Sequence, residues 1–263
     1  MALARLVAEG ATAIKIEPPG GDPMMGLSRP WYRSLHRHVT VESCDLKAEV
    51  GLGRLMGHLA QADLLLTSQR PAALSRLGLD PSTLEGALPH LRVLQIVGDE
   101  AAPEDSGHDL TYQARAGLIG SEMPRILLAD LFGAERAVIA ALLLLRRQAP
   151  AWDRVGLYDA LDTAVAPLRF SLTSPGGALG GGLGSYRIYE TRRGRVAIAA
   201  LEPHFRSRLY SALGLPDDHD LTAVFGQRTA KQWAHWARRL DLPLVCVEEA
   251  RAGSGRLLKK PAT

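Results

Sequence analysis

Strand-like runs alternate with helical patterns along the first half of the chain, and this alternation constrains the fold more than any single motif. Thr12 to Ile16 is β-branched and follows Gly10, which stops an opening helical stretch from Ala2 to Glu9. An amphipathic pattern near Glu49 to Gln61 predicts a helix, and the continuous apolar run Asp63 to Thr67 predicts a strand covered on both faces. A short helix at Pro71 to Leu77 and a strand at Arg92 to Val97 continue the series. Strands and helices in this rhythm predict an α/β fold with a doubly wound, mostly parallel sheet. A half-helix at the start has nothing before it to pack on, so a preceding strand and turn are expected.

A long apolar helix is predicted from Ile126 to Arg147, with Ala, Leu and Val on most faces, as suits burial in a domain or an oligomer seam. Composition shifts at Ser174 to Ser185, SPGGALGGGLGS, which reads as a hinge or loop. Beyond it, Tyr186 to Glu190 and Arg195 to Ala200 alternate around the turn Arg192-Arg193-Gly194, and helices are predicted at Pro203 to Leu213 and Thr229 to Leu240. With 263 residues, 46% of them apolar, the chain can fill two unequal lobes. The expected organisation is a large α/β domain over 1–173, a small α+β domain over 174–250 and a tail over 251–263.

The 31 basic and 28 acidic residues leave a charge of only +3 without long runs of either sign, so the balance points to neither nucleic acid nor membrane. Cys44 and Cys246 are the only cysteines, far apart and outside any zinc spacing, which argues against a disulfide framework or a metal site and suits a reducing cytoplasm. The longest apolar run, Ala137 to Leu145, is too short to span a bilayer, so a soluble protein is expected.

Single residues carry less. Gly180-Gly181-Gly182 lacks the strand-turn-helix spacing of a phosphate loop, and no GxSxG or HExxH occurs. His108 and Asp109 could cap a helix. Asp130 lies inside the apolar run ILLADLFGAERAVIAALLLL, where an unpaired carboxylate would cost several kcal/mol, so it is an N-cap, a reactive group, or both. Glu202 follows the strand VAIAAL and precedes Pro203, as a helix-start acid would.

Six ordered blocks give these residues a context. ATAIKIEPPGGDP, ADLLLTSQRPAALSRLGLDPSTL, SGHDLTYQARAGLIG, LLADLFGA, GGGLGSYRIYETRRGRVAIAALEPHF and FGQRTAKQWAHWARRLDLPLVCVEEA run in the order of the motifs of family III CoA-transferases. The resemblance spans about Leu3 to Ala250, includes the formyl-CoA and carnitine CoA-transferase types, and is nearest the α-methylacyl-CoA racemase branch through its GHD segment.

That resemblance implies an enzyme handling acyl-CoA without a metal. Asp130 matches the aspartate that carries the acyl group in the transferases and serves as one of two bases in the racemases. His108 matches the racemase histidine and Glu202 its carboxylate partner, a pairing suited to moving a proton at the carbon beside a thioester, with backbone amides near Asp130 as donors to the enolate oxygen. Gln69, Arg70 and Arg76, and in a less certain alignment Arg37, match positions that contact CoA, where arginine suits phosphate; the alternative for each arginine is a solvated surface position. A homodimer of interlocked subunits and a carboxylic acid acceptor belong to the same implication. Against the family pattern the first strand with its Gly-Pro turn is absent, the segment VGDEAAPEDSG and the stretch from His108 to Asp130 are short, and the tail stops early. A catalytically impaired CoA-binding or scaffold subunit that needs a partner chain is therefore the alternative expectation.

Overall fold

The structure, a computed structural model, describes residues 1–248. The expected tail at 251–263, and the end of the small domain at Ala250, lie outside the described residues. The chain divides into two compact units, Met1–Val165 and Ala166–Thr263.

In the first unit the elements run α1 (Ala2–Ala8), β1 (Ile14–Glu17), α2 (Met24–Leu27), α3 (Arg29–Leu35), β2 (Thr40–Ser43), α4 (Glu49–Leu59), β3 (Leu64–Thr67), α5 (Pro71–Arg76), α6 (Pro81–Ala87), β4 (Arg92–Val97), α7 (Asp109–Arg115), α8 (Leu128–Arg146) and β5 (Ala151–Gly156). A further helix, α9 (Asp162–Arg169), runs across the division. The strands β3, β4 and β5 form a parallel sheet in that order, with Leu64 opposite Arg92 and Arg92 opposite Ala151. Alternate residues of β4 point to opposite faces. Leu94, fully buried, joins Val155 and the α1 and α8 residues Leu6, Ala137, Ala141 and Leu144. Val93 instead meets Leu55 and Leu59 of α4, Leu74 of α5 and Leu84 of α6. Helices therefore cover both faces, which is why β3 reads as a continuous apolar run. Burying a side chain such as Leu94 contributes about 2–3 kcal/mol.

The parallel strands fall into two sheets rather than one. The pair β1 and β2 is parallel, with Ile14 opposite Thr40, and no ladder joins it to β3–β5. Four-residue strands supply few backbone pairs, and the largely polar β2, Thr-Val-Glu-Ser, does not announce itself by an apolar run.

The second unit holds β6 (Tyr186–Glu190), β7 (Arg195–Ala199), α10 (Pro203–Leu213), α11 (Thr222–Phe225), α12 (Ala230–Arg239) and β8 (Leu244–Cys246). The three strands form an antiparallel sheet in chain order. Its β6–β7 turn closes through the Thr191 N–H to the Gly194 carbonyl at 3.0 Å, with Gly194 at a φ of 84°. Tyr189, Val196, Ile198, Phe225 and Trp233 fill its core, and the Trp233 indole N–H donates to the Phe225 carbonyl at 2.9 Å, so the ring is buried without an orphaned donor. Thr229 and Gln232 cap α12 reciprocally. The glycine-rich segment is folded back on itself: the Leu179 N–H donates to Leu172 at 2.8 Å, and a Cβ at Gly180 would stand 1.8 Å from the Ser174 carbonyl oxygen. Glycine is required there for close backbone approach.

Candidate active site

The site begins with the segment GHDLTYQAR. The Thr111 hydroxyl accepts from the His108 N–H at 3.0 Å and donates to the His108 carbonyl at 2.8 Å, which fixes His108 as the N-cap residue of α7. The next residue, Asp109, is 5% exposed. Its Oδ1 accepts from the Asp130 N–H at 3.1 Å and its Oδ2 from Gln113 Nε2 at 2.6 Å. The same Gln113 nitrogen donates to the Ile126 carbonyl at 2.9 Å, so the turn before α8 is tied to α7.

Asp130 is the third residue of α8 and not its N-cap, a position held by Leu127 without any side-chain cap. The capping role that the sequence allowed Asp130 is taken by Asp109 from the neighbouring helix, because Leu127 offers no acceptor. Asp130 is thereby left half-buried with its carboxyl free of that duty. Burial, and next the charge of Asp109, push the Asp130 carboxyl above the usual carboxylate range, while the Met1 amino group and His108 pull it down. The last effect shows that His108 and Asp130 share one electrostatic neighbourhood. The His108 side chain is exposed. The Asp130 amide is already spent on Asp109, so of the amides expected to face an enolate oxygen this one is engaged elsewhere.

Behind these residues stands Tyr112, buried, with its hydroxyl wedged between two glycines. A Cβ at Gly98 would lie 2.1 Å from that oxygen and one at Gly107 2.5 Å from it. Burial and the Asp130 charge raise the Tyr112 phenol, and Arg70 lowers it. Arg70 stands at the N-cap of α5. Arg115 completes the wall, 2.6 Å from the buried Asp99 and stacked 3.8 Å from the Tyr158 ring centroid. A cavity of about 150 Å³ opens between Gly98, Asp99, Ser106, Thr111, Tyr112 and Arg115.

Of the positions matched to CoA contacts, Gln69, Arg70 and Arg76 lie exposed on the β3–α5 turn and α5 itself. The Gln69 carbonyl accepts from Gln95 Nε2 at 3.0 Å, and Arg76 Nε donates to the Ala72 carbonyl at 3.2 Å. Arg37 lies elsewhere, in the exposed turn after α3. Glu202 belongs to the second unit, exposed at the N-cap of α10 and making no side-chain cap bond. Asp109, Gln113 and Tyr112 escaped the sequence reading as site residues, although the GHD motif contained the first of them.

One further cluster could invite a metal. Glu17, Asp22 and His36 bring ligand atoms within 4.8 Å of one another. Lys15 pairs with both carboxylates, 2.8 Å from Glu17, and the Tyr32 hydroxyl donates to Glu17 at 2.7 Å. The Lys15 ammonium already occupies the place of a cation between the two acids, so the cluster locks the EPPGGD loop.

The fold and site define an α/β protein that presents a half-buried helix-start carboxylate beside a histidine. Residues 1–252 match the profile of CoA-transferase family III, and the chain belongs to that family. It is 37% identical over 127 residues to cinnamoyl-CoA:phenyllactate CoA-transferase of Clostridium sporogenes, covering 43% of this chain but 31% of that protein. It is 26% identical over 236 residues to a CaiB/baiF CoA-transferase family protein of Caenorhabditis elegans, covering 76% of this chain and 69% of that one. To the α-methylacyl-CoA racemase of Mus musculus it is 26% identical over 248 residues, covering 78% and 65%. The chain thus spans less than a third of the length of the first of these and about two thirds of the other two. Among solved structures, a hypothetical protein of Mycobacterium tuberculosis superposes with a TM-score of 0.80 at 21% identity, covering 94% of this chain and 81% of that one. A CAIB/BAIF family protein of Brucella suis gives 0.76 at 18% identity, covering 94% and 79%. At those identities the likeness establishes the fold.

No helix among the described residues is long and apolar enough to cross a membrane.

Proposed function

We propose that this chain transfers CoA between an acyl-CoA thioester and a carboxylic acid through Asp130. The observation that carries the reading is the half-buried Asp130 in the first turn of α8, its main chain held and its carboxyl raised by burial and by Asp109. A carboxylate so placed is a better nucleophile than one in water. An Asp130 oxygen attacks the thioester carbonyl carbon, the C–S bond breaks, and CoA leaves as thiolate with a mixed anhydride behind it. The thiolate then attacks the Asp130 carbonyl, releasing the donor acid and leaving an aspartyl-CoA thioester. The acceptor carboxylate reverses both steps, regenerating Asp130 and forming the new acyl-CoA. Gln69, Arg70 and Arg76 on one segment, with Arg37, would hold the phosphates of CoA. A cytoplasmic homodimer is part of this reading.

The test is trapping. Protein incubated with acyl-CoA and treated with hydroxylamine should carry a hydroxamate on Asp130, and Asp130→Asn should lose both the adduct and at least about a thousandfold of turnover. A full adduct in the variant would sink the proposal.

A second reading, proton exchange at the α-carbon, is favoured by the position of His108 next to Asp109, whose carboxylate holds the Asp130 amide. Deuterium uptake by a 2-methylacyl-CoA in heavy water would support it, and uptake undiminished in His108→Gln would refute it. A chain that binds CoA yet gives neither adduct nor exchange is the scaffold subunit.

A further inference from the structure

We propose that Asp109 is a positioning residue for the chemistry at Asp130: its buried carboxylate grips the Asp130 main chain, and its negative charge sets how readily the Asp130 side chain takes up an acyl group or a proton. This deepens the reading of Asp130 as the reacting carboxylate and rests on it.

Three observations converge. Asp109 is almost fully buried, which is costly for a carboxylate without compensation. Both of its oxygens are engaged, one by the Asp130 N–H at 3.1 Å and the other by Gln113 at 2.6 Å. It supplies the cap that Leu127 cannot, so α8 starts at a place dictated by α7. A buried acid used only as a cap could be replaced by serine or asparagine, which cap as well. Beyond the cap, the carboxylate brings a second acceptor, which holds Gln113, and the charge it sets against Asp130. A like charge close to a half-buried carboxylate disfavours its ionised form and so strengthens it as a base and nucleophile. The other charged or titratable groups bearing on Asp130 are His108 and Tyr112 from α7 and the Met1 amino group on α1. His108 and the amino group act in the opposite sense, so Asp109 is the neighbour that raises the carboxyl.

The test reads Asp130 directly, without turnover. Protein labelled with ¹³C at the aspartate carboxyls is titrated by NMR, with the Asp130 resonance assigned from Asp130→Asn. Asp109→Asn keeps an acceptor oxygen for the amide and removes the charge, whereas Asp109→Ala removes both. The Asp130 midpoint should move to lower pH in both variants, and the melting temperature should fall further in Asp109→Ala, which loses both acceptors, than in Asp109→Asn, which loses only the one facing Gln113. The acid limb of turnover should shift to lower pH with it, and kcat should fall at pH 7 more than KM changes. If Asp109→Asn fails to fold, Asp109→Ser supplies the neutral cap. An Asp130 midpoint that stays where it was in the folded neutral variants overturns the proposal. Loss of the Asp130 adduct from the parent protein would instead sink the transfer reading while leaving this titration to stand.

Discussion

Adding one methyl group at Gly107 should destabilise the first unit, although the same change at Gly53 should stabilise it. Replacing glycine by alanine at a position with an ordinary φ removes unfolded-state freedom and stabilises by roughly 0.4–1 kcal/mol. At Gly53, inside α4, the new Cβ meets nothing within 4 Å, and helix propensity adds its own gain, for a total near 1 kcal/mol. At Gly107 the Cβ would stand 2.5 Å from both Cε1 and the hydroxyl of Tyr112 and 2.6 Å from Cζ. Carbon atoms prefer separations of about 3.5 Å or more, so the ring must retreat by about 1 Å. It cannot do so freely, because Gly98 confines the same hydroxyl and Ala129 and Leu161 pack beside the ring. Overpacking of this kind costs about 1–3 kcal/mol and outweighs the entropic gain. The net loss of about 1–2 kcal/mol corresponds to a fall of roughly 2–8 °C in the melting temperature of a unit this size. Thermal unfolding followed by circular dichroism measures it, and a double-mutant cycle with Tyr112→Leu should recover most of the loss. A Gly107→Ala protein that melts at or above the parent, or a loss that persists undiminished in the leucine background, refutes the packing argument.

The Lys15–Glu17 pair makes stability depend on acid. Burial alone would raise Glu17, but Lys15 and the Tyr32 hydroxyl together hold its carboxyl below its ordinary value of 4.5, so the stabilisation is complete above that pH and is lost as pH falls through the lower folded value. Urea unfolding from pH 7 down to 3 should show this decline, and Lys15→Met should flatten it and lower stability at pH 7; a parent whose midpoint does not change over that range would contradict the sign. Leu144→Ala, at a site with no exposure between α8 and the sheet, should cost about 2–5 kcal/mol in the same assay. Asp80 accepts from the Thr83 N–H at 3.1 Å as the cap of α6, and Asp80→Ala should cost about 1 kcal/mol, with a null effect telling against the cap.

Where burial imposes a period, the residues announced their elements. Arg92–Val97 and Pro203–Leu213 lie where the pattern put them, and the long apolar stretch became α8, because apolar runs and a proline helix start are local signals. β2 and β5 did not announce themselves. Thr-Val-Glu-Ser is mostly exposed, and in Ala-Trp-Asp-Arg-Val-Gly the edge strand leaves Trp152 half exposed, so neither carries an apolar alternation and both exist through pairing with distant residues. The site divides in the same way. Asp130 stood out as an acid in an apolar run, whereas Asp109 looked like an ordinary helix-start residue. Its partner, the Asp130 amide, is 21 positions away in sequence, and no local pattern reports a cap donated across two helices. Tyr112 escaped for a similar reason, since two glycines on separate segments make its slot.

The site owes its definition to the way α8 is seated. Ala129, Gly133, Ala137, Ala141 and Leu144 form a stripe of small residues ending in a leucine, and all are buried. A Cβ at Gly133 would come within 2.3 Å of the Leu157 side chain, just past the end of β5, so the first turns of α8 are pressed onto the chain leaving the sheet. Asp130 follows Ala129 and stands one turn before the buried Gly133 and Ala134, so it cannot slide along the axis without breaking their packing. Rotation about the axis is limited separately, because the Asp130 amide is held by Asp109 and the preceding Ile126 carbonyl by Gln113. A carboxylate fixed on a rigid helix in both senses would meet a substrate with little reorganisation.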